Sequence, residues 1–392
     1  MSSTDLIALD SAFRCYPRGD SGCYLSSVRV LVLSHHALDP ANRQKLRELA
    51  GNGWEITLAT PGGDADMDGP IRLSPVAVTG SVELPDTLQY KPRALKRLLS
   101  DLRPALVHVE LEPGTQGASA LVHEALKLEI PSVVFSWESL PKKRGYFEER
   151  RYRRTLSEVS GVIGGNRLAE NILAEAAPNV PAMALPQQGI VAPPMPDRPS
   201  TEALTMATVG RLVPERGVDR LLRACGQLMG PWSLLVAGTG PEQESLEDLA
   251  QKLGLASRIR WLGPIARNEI MALWRDVDVI VSTSRSTETW VERHSTVVLE
   301  AMAHGVAPVV SNNGALPELV GEAGIVVSSD EELLIALQEL VMDHERRALL
   351  GQAGRKRVLD YYVDAAIART TSAYWHEVLA RAHAGTPQSV AT

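Results

Sequence analysis

The sequence predicts an α/β protein with two doubly wound, Rossmann-like domains facing a central cleft. Three observations carry that prediction. Strand-like apolar runs alternate with helix-spaced segments in two series; a proline-rich stretch separates the series; and 392 residues exceed what one ordinary core holds. The first series opens at Val28–Ser34, VRVLVLS, a nearly continuous apolar run suited to a strand buried on both faces. Helical spacing at Leu46 and Leu49 marks a helix over Asn42–Gly51, and Trp54–Ala59 reads as the next strand. The rhythm repeats as strand Ala105–Val109, a helix around Ser119–Leu128, and strand Ser132–Phe135. Gly189–Ser200 then places four prolines in 12 residues, so it is neither helix nor interior strand.

The second series has strands at Met206–Val209, Ser233–Ala237, Ile259–Leu262, Val277–Val281 and Val309–Ser311. Helices fall at Val218–Leu228, Glu242–Leu253, Asn268–Trp274 and Thr296–Ala303. Three long amphipathic ones close the chain: Asp330–Asp343, His344–Val358 and Ala365–Ala384. The expected division is a tail over 1–27, a first domain over 28–188, a linker over 189–203, a second domain over 204–384 and a tail over 385–392.

Composition narrows the class. Hydrophobic residues make up 44% and charged residues 22%, as in a soluble globular enzyme. The net charge of −7 argues against a nucleic-acid binder, which needs a basic footprint. Cys15, Cys23 and Cys225 make neither a disulfide framework nor a zinc site. Met1–Asp10 lacks the basic start of a signal peptide, and no uncharged apolar run approaches the roughly 20 residues of a membrane span. A cytoplasmic protein is expected. Lys142–Arg154 packs seven cationic side chains against Glu148 and Glu149. It reads as a solvated, salt-bridged helix face, or as a peripheral contact with an anionic membrane at its inner face, with Lys91, Arg93, Lys96 and Arg97 near it in sequence. Asp64, Asp66 and Asp68 have metal-like spacing, but between Gly63 and Gly69-Pro70 they read as a surface loop, so no metal site is expected.

Three segments of the second half point to a nucleotide diphosphate. In Val209–Gly217, VGRLVPERG, a strand ends at a turn marked by Gly210, and Arg211 and Arg216 follow in one loop. Guanidinium groups stay charged and bind phosphate oxygens bidentately, so two of them can neutralise a leaving pyrophosphate without a metal. Ala237–Pro241, AGTGP, lacks the third glycine and downstream acid of a dinucleotide site and reads as a turn. Trp290–Gly305, WVERHSTVVLEAMAHG, is the informative segment. Ser295 or Thr296 would cap a helix, with Glu292 in the loop before it and Glu300 a turn inside it. The amides from Arg293 through His294 and Ser295 to Thr296 would bind an anion. One carboxylate would accept from ribose hydroxyls and the other from sugar hydroxyls. Glu300 sits in a helix that reads as buried; a buried carboxylate is costly without a partner, which points to a ligand.

In combination and order, VGRLVPERG, the WLGPI loop (Trp261–Ile265), the Glu292/Glu300 segment and SNNGALPELVGEAG (Ser311–Gly324) resemble the retaining glycosyltransferases of family 4, which have the GT-B fold. A weaker resemblance covers residues 28–190. The resemblance implies that Arg211 and Arg216 hold the donor diphosphate, that Glu300 binds ribose and Glu292 contacts the donor sugar. It also implies that Gly263, Pro264 and Ile265 flank the base. Three departures stand out. Arg293-His294-Ser295 replaces the usual Gly-Phe-Gly or Gln-Phe-Gly; Ser34-His35-His36-Ala37 lacks the usual glycine-rich loop; and HVELEP (His108–Pro113) puts Leu111 where many members carry a histidine. His108 reads as a strand residue. Glu112, Trp137 and Glu138, with His35 and His36, are the candidates on the acceptor side.

The expected activity is metal-independent, cofactor-free, retaining transfer of a sugar from a nucleotide-diphosphate sugar to an acceptor: a surface polysaccharide, glycolipid or small-molecule glycoside. Glu292, Arg211 and Arg216 carry it, and no carboxylate is assigned as nucleophile. The alternatives are a nucleotide-binding pseudoenzyme and a nucleotide-sugar epimerase of the same fold.

Overall fold

The computed structural model describes residues 28–84, 87–195 and 202–384, so both expected tails and part of the proline-rich linker lie outside the described residues. In the first half, β1 (Val28–Ser34), α1 (Gln44–Gly51), β2 (Trp54–Pro61), β3 (Asp66–Asp68) and β4 (Ile71–Val76) come in turn. A small ribbon of β5 (Val78–Thr79) and β6 (Gln89–Tyr90) leads to α2 (Pro92–Leu102) and β7 (Leu106–Glu110). Then follow α3 (Gln116–Lys127), β8 (Ser132–Ser136), α4 (Tyr146–Glu158), β9 (Gly161–Gly164), α5 (Arg167–Ala176) and β10 (Ala182–Ala184). The sheet order is β10-β9-β8-β7-β1-β2-β4-β3, parallel except for the edge strand β3. That edge strand corrects the expected loop at Asp64–Asp68. Asp68 pairs with Arg43 at 2.7 Å and Arg47 at 3.0 Å, which ties the hairpin down.

The second half repeats the plan with β11 (Leu204–Val209), α6 (Val218–Cys225), β12 (Trp232–Ala237), α7 (Gln243–Lys252), β13 (Ile259–Gly263) and α8 (Arg267–Leu273). It continues through β14 (Val279–Ser282), α9 (Thr296–Ala303), β15 (Ala307–Ser311), α10 (Leu316–Val320) and β16 (Ile325–Val327). Three helices finish it: α11 (Asp330–Met342), α12 (His344–Tyr361) and α13 (Asp364–Ala384). The all-parallel order β13-β12-β11-β14-β15-β16 is that of a doubly wound dinucleotide-type sheet. Strand periodicity builds its two cores. Met206, Leu234 and Val279 face α6, α7 and α11, while Ala207, Leu235 and Ile280 face α9, α10 and α12.

The last helix departs from the expected 204–384 domain. Helix α13 crosses back and covers the first sheet, where Ile367, Trp375 and Val378 share a core with Val30, Val32, Ile56 and Leu106. The reason is local to the first half: α1 leaves much of that sheet face open, and α13 carries an apolar stripe that closes it. The Trp54 indole N–H donates to Ser372 at 2.8 Å, and the Tyr374 hydroxyl lies 2.6 Å from the Pro181 carbonyl. The outgoing and returning crossings run side by side. Ile190 bridges Val363 in parallel, and its N–H donates to the Tyr362 carbonyl at 2.8 Å. A Cβ on Gly189 would stand 2.1 Å from the Asp364 nitrogen, so only glycine allows this approach.

Candidate functional site

In the second sheet, β11 and β14 are neighbours from which the chain winds away in opposite directions, so the loops beyond their C-terminal ends enclose a crevice. Gly210, Arg211 and Arg216 come from β11, and the segment from Ser282 to Ser295 comes from β14. The two loops meet where the Arg216 guanidinium donates to the Glu292 carboxylate. The Arg216 Cζ also lies 5.5 Å from the centre of the Trp290 ring. Burial pushes the Glu292 carboxyl above its ordinary pKa even with the Arg216 charge beside it. At the foot, Gly210, Arg211, Arg216, Ser282 and Ser295 line a notch of about 20 Å³, room for a single water.

Glycines lock these loops together. Gly217 has φ +62°, and a Cβ there would stand 2.2 Å from the Thr283 carbonyl oxygen. The Thr283 hydroxyl donates to the Gly217 carbonyl at 2.8 Å, clamping the Arg216 turn onto the end of β14. Gly314 has φ +57° and a Cβ position 2.1 Å from the Glu292 carbonyl oxygen, which accepts from the Ala315 N–H at 2.8 Å. The SNNGALPELVGEAG segment therefore positions Glu292. The AGTGP turn does more than turn: Gly238 and Gly240 press against the Gly210 and Leu212 carbonyls and buttress the arginine loop.

Helix α9 starts where expected, with Ser295 at the N-cap position. Its side chain makes no capping bond and is buried at the notch. Thr296 opens the helix. Glu300 is buried but has a protein partner, contrary to the inference that it needs a ligand. Arg267 pairs with it at 2.8 Å, reaching back from the start of α8 just beyond Gly263, Pro264 and Ile265. The residues expected at the base and the ribose thus lie together, on the β13 side of the crevice.

The first sheet has its own switch point between β1 and β7. His35 stacks on Tyr90, with ring centroids 5.9 Å apart, and His36 bonds Gln188. The Glu112 carboxylate accepts from the Ser136 hydroxyl at 2.5 Å and the Trp137 N–H at 2.9 Å, and Glu138 pairs with Arg144. Among these candidates Trp137 makes the contact with the other half, its ring 5.4 Å from that of His294. Burial pushes the His294 imidazole down to about 4, so the ring is neutral at neutral pH. Trp137, Arg216, Trp290, Glu292, Arg293 and His294 line a cavity of about 310 Å³ between the sheets, large enough for a small ligand.

Five contributors were not legible in the sequence. Asn166 caps α5 by accepting from the Ala169 N–H at 2.9 Å. Its amide also donates to Ser139 and to the Arg293 carbonyl, both at 2.8 Å, and so joins the two halves. Neither α5 nor its cap is read from the sequence, and nothing local announces the partner 127 residues away. Trp290 lies beneath Arg216, as described. Behind the site, the Lys45 ammonium bonds Glu110, and Gln187 links Glu110 at 3.3 Å to the Trp137 indole at 3.1 Å. Burial alone would raise the Glu110 carboxyl, but Lys45 and His108 hold it well below the usual carboxylate range. Burial also depresses His108, a β7 strand residue as expected. Its Nδ1 accepts from the Trp375 indole at 3.3 Å, so Nε2 carries the proton and donates to Glu110 at 3.2 Å. Among the described residues no group of three His, Cys, Asp or Glu could hold a metal ion, and no helix is long and apolar enough to cross a membrane.

Residues 39–187 match the model of the glycosyl transferase 4-like domain, and residues 197–357 match that of the glycosyl transferases group 1. A GDP-mannose-dependent alpha-(1-6)-phosphatidylinositol monomannoside mannosyltransferase of Mycobacterium tuberculosis is 33% identical over 166 residues, 40% of this chain and 43% of that relative. A D-inositol 3-phosphate glycosyltransferase of Corynebacterium efficiens is 31% identical over 199 residues, 47% of this chain and 46% of its own length. The chain thus spans under half the length of these curated relatives. Among solved structures, sucrose-phosphate synthase from Thermosynechococcus elongatus superposes with a TM-score of 0.63 at 19% identity, over 90% of this chain and 100% of that one. The Anabaena protein HepE in complex with UDP gives 0.63 at 15% identity, over 89% and 100%. These likenesses establish the GT-B fold.

Proposed function

The chain belongs to the glycosyl transferases group 1 together with their 4-like N-terminal half, and from that membership we propose that it transfers a sugar from a nucleotide-diphosphate sugar to an acceptor, with retention and without a metal. The observation that carries the reading is the Arg216–Glu292 pair at the β11/β14 switch point, on a cavity whose far wall is Trp137 of the first sheet. A guanidinium has five N–H donors, so Arg216 can hold Glu292 and still meet phosphate oxygens.

In this reading Arg211, Arg216 and the amides ahead of α9 stabilise charge developing on the departing diphosphate. Glu292 accepts hydrogen bonds from the donor sugar, and Glu300 with the Gly263–Ile265 loop takes the nucleoside. The acceptor enters past Trp137, Glu112 and Glu138 on the face the diphosphate leaves, and the two halves close to exclude water. GDP and UDP lead the donor bases to test, because one relative is named GDP-mannose-dependent and one structural neighbour is in complex with UDP.

The test is thermal shift with UDP, GDP, ADP and TDP in chelator, on wild type and Arg211→Ala, followed by turnover of the sugar nucleotide that fits. One base should stabilise wild type by about 2.7 kcal/mol at a hundredfold excess over its dissociation constant, and the variant less. Inversion at the anomeric carbon of the product would refute retention. Rearrangement of the donor with no acceptor present would replace the transferase by an epimerase.

A further inference from the structure

Helix α4 ends toward the cleft in an unusual surface. Its first two residues, Tyr146 and Phe147, are 75% and 71% exposed and rest edge-to-face with ring centroids 5.4 Å apart. Tyr152, Thr155 and Leu156 hold the opposite side of the helix in the first domain, so it cannot roll to hide the aromatic pair. At helical spacing, exposed Arg150 stands one turn beyond the pair, and exposed Arg153 and Arg154 one turn further. Lys142 and Lys143 are exposed on the approach. Glu148 pairs with Lys142 at 2.9 Å, Glu149 with Arg153 at 2.6 Å and with Arg144 at 3.7 Å, and Glu158 with Arg154 at 3.0 Å. Lys142, Arg153 and Arg154 are exposed in these pairs and can exchange them for other anions. In a chain of net charge −7, this is a local positive surface around an apolar tip.

We propose that this face docks on an anionic lipid bilayer. Tyr146 and Phe147 seat in the interfacial layer, while Lys142, Lys143, Arg150, Arg153 and Arg154 meet lipid phosphates. Aromatic rings favour the headgroup level, and long cationic side chains reach phosphate while their stems stay apolar. A soluble polyanion without aromatic or apolar groups, such as a sulfated polysaccharide, would satisfy the cations but leave the aromatic pair in water, so the bilayer fits the whole surface. Docking would also aim the cleft. Lys142 and Lys143, with Leu140 and Pro141, line a cavity of about 600 Å³ whose other wall is the Glu288–Arg293 loop of the second half.

The docking does not depend on the transfer reaction and is tested without it, by co-sedimentation with phosphatidylcholine vesicles with and without phosphatidylglycerol, at low and high salt. Wild type should partition onto the anionic vesicles about tenfold more strongly than onto neutral ones. Tyr146→Ser with Phe147→Ser should cut partition about tenfold at both salts, whereas Lys142→Ser with Lys143→Ser and Arg150→Ser should cut it at low salt only. Tyr146→Phe with Phe147→Leu, apolar at both places, should keep it. Thermal melts of all variants should match wild type, since every changed side chain is exposed. Absence of wild-type partition, or serine variants that bind as wild type does, overturns the proposal. So does retention on a heparin column with no vesicle binding, which would assign the face to a soluble polyanion.

Discussion

Arg216 does two jobs with one side chain, and its removal should separate them. In Arg216→Ala the nucleotide loses a charge-assisted contact worth roughly 1.5–3 kcal/mol. Calorimetric titration should therefore show the chosen nucleoside diphosphate binding about tenfold or more weakly, while Glu292, left without its partner, becomes harder to ionise. A second prediction concerns the buried pair behind the site. Glu110→Gln strands the Lys45 ammonium in the interior and should cost about 3–5 kcal/mol at neutral pH, read from denaturant midpoints. The pH sign follows from the depressed carboxyl. Its stabilisation is present above the unfolded pKa of about 4.3 and falls away as pH drops toward the folded value, so wild type should lose its advantage over the variant in acid. At this scale the sequence was partly legible. Arg211, Arg216, Glu292 and Glu300 could be picked out as candidates from residue type, spacing and the family resemblance, and the structure sets Arg216 against Glu292. Lys45, Gln187 and Asn166 could not be, because their meaning comes from partners far along the chain.

The helices and strands that were read by period are present, with ends shifted by up to three residues, but β4, α2, β9, α5, β10, α10 and β16 were not read from the sequence. What a helix packs against was not legible either. An apolar stripe on α13 says that the helix is buried, and nothing in it says against which sheet. Trp375 reports the answer, fully buried beside His108 with centroids 5.3 Å apart. Trp375→Ala should destabilise the protein by about 3–5 kcal/mol through the cavity it leaves. Trp375→Phe keeps most of the packing but leaves the His108 Nδ1 without its donor, and should cost about 1–3 kcal/mol. If the alanine variant melts like wild type, α13 is not part of the first core. Among loops, the glycine pairs were visible as turns, but their mutual approach depends on two loops closing at once.

On the scale of the whole molecule, two doubly wound domains facing a cleft were legible, because the series of strands and helices occurs twice; their strand orders, and so their switch points, were not. Nor were the contacts that set their spacing. Asn166→Asp keeps the oxygen that caps α5 but removes the amide donor to Ser139 and to the Arg293 carbonyl. Its melting temperature should fall, because a buried carboxylate oxygen then faces the Arg293 carbonyl. Small-angle scattering should show a larger radius of gyration as the halves part; an unchanged profile would mean that this bond does not hold the cleft. The side-by-side crossings at Ile190 and Val363 bear on how such parting can occur. Both ends of the described chain belong to the first body, so the second body is in effect an insertion within it, hung from two adjacent pins. Two adjacent crossings lie on one line, so a parting of the halves is expected to take the form of a swing about it. A protease cut in the outgoing crossing should likewise leave the pieces assembled, since α13 stays embedded in the core of the first body and still tethers the second.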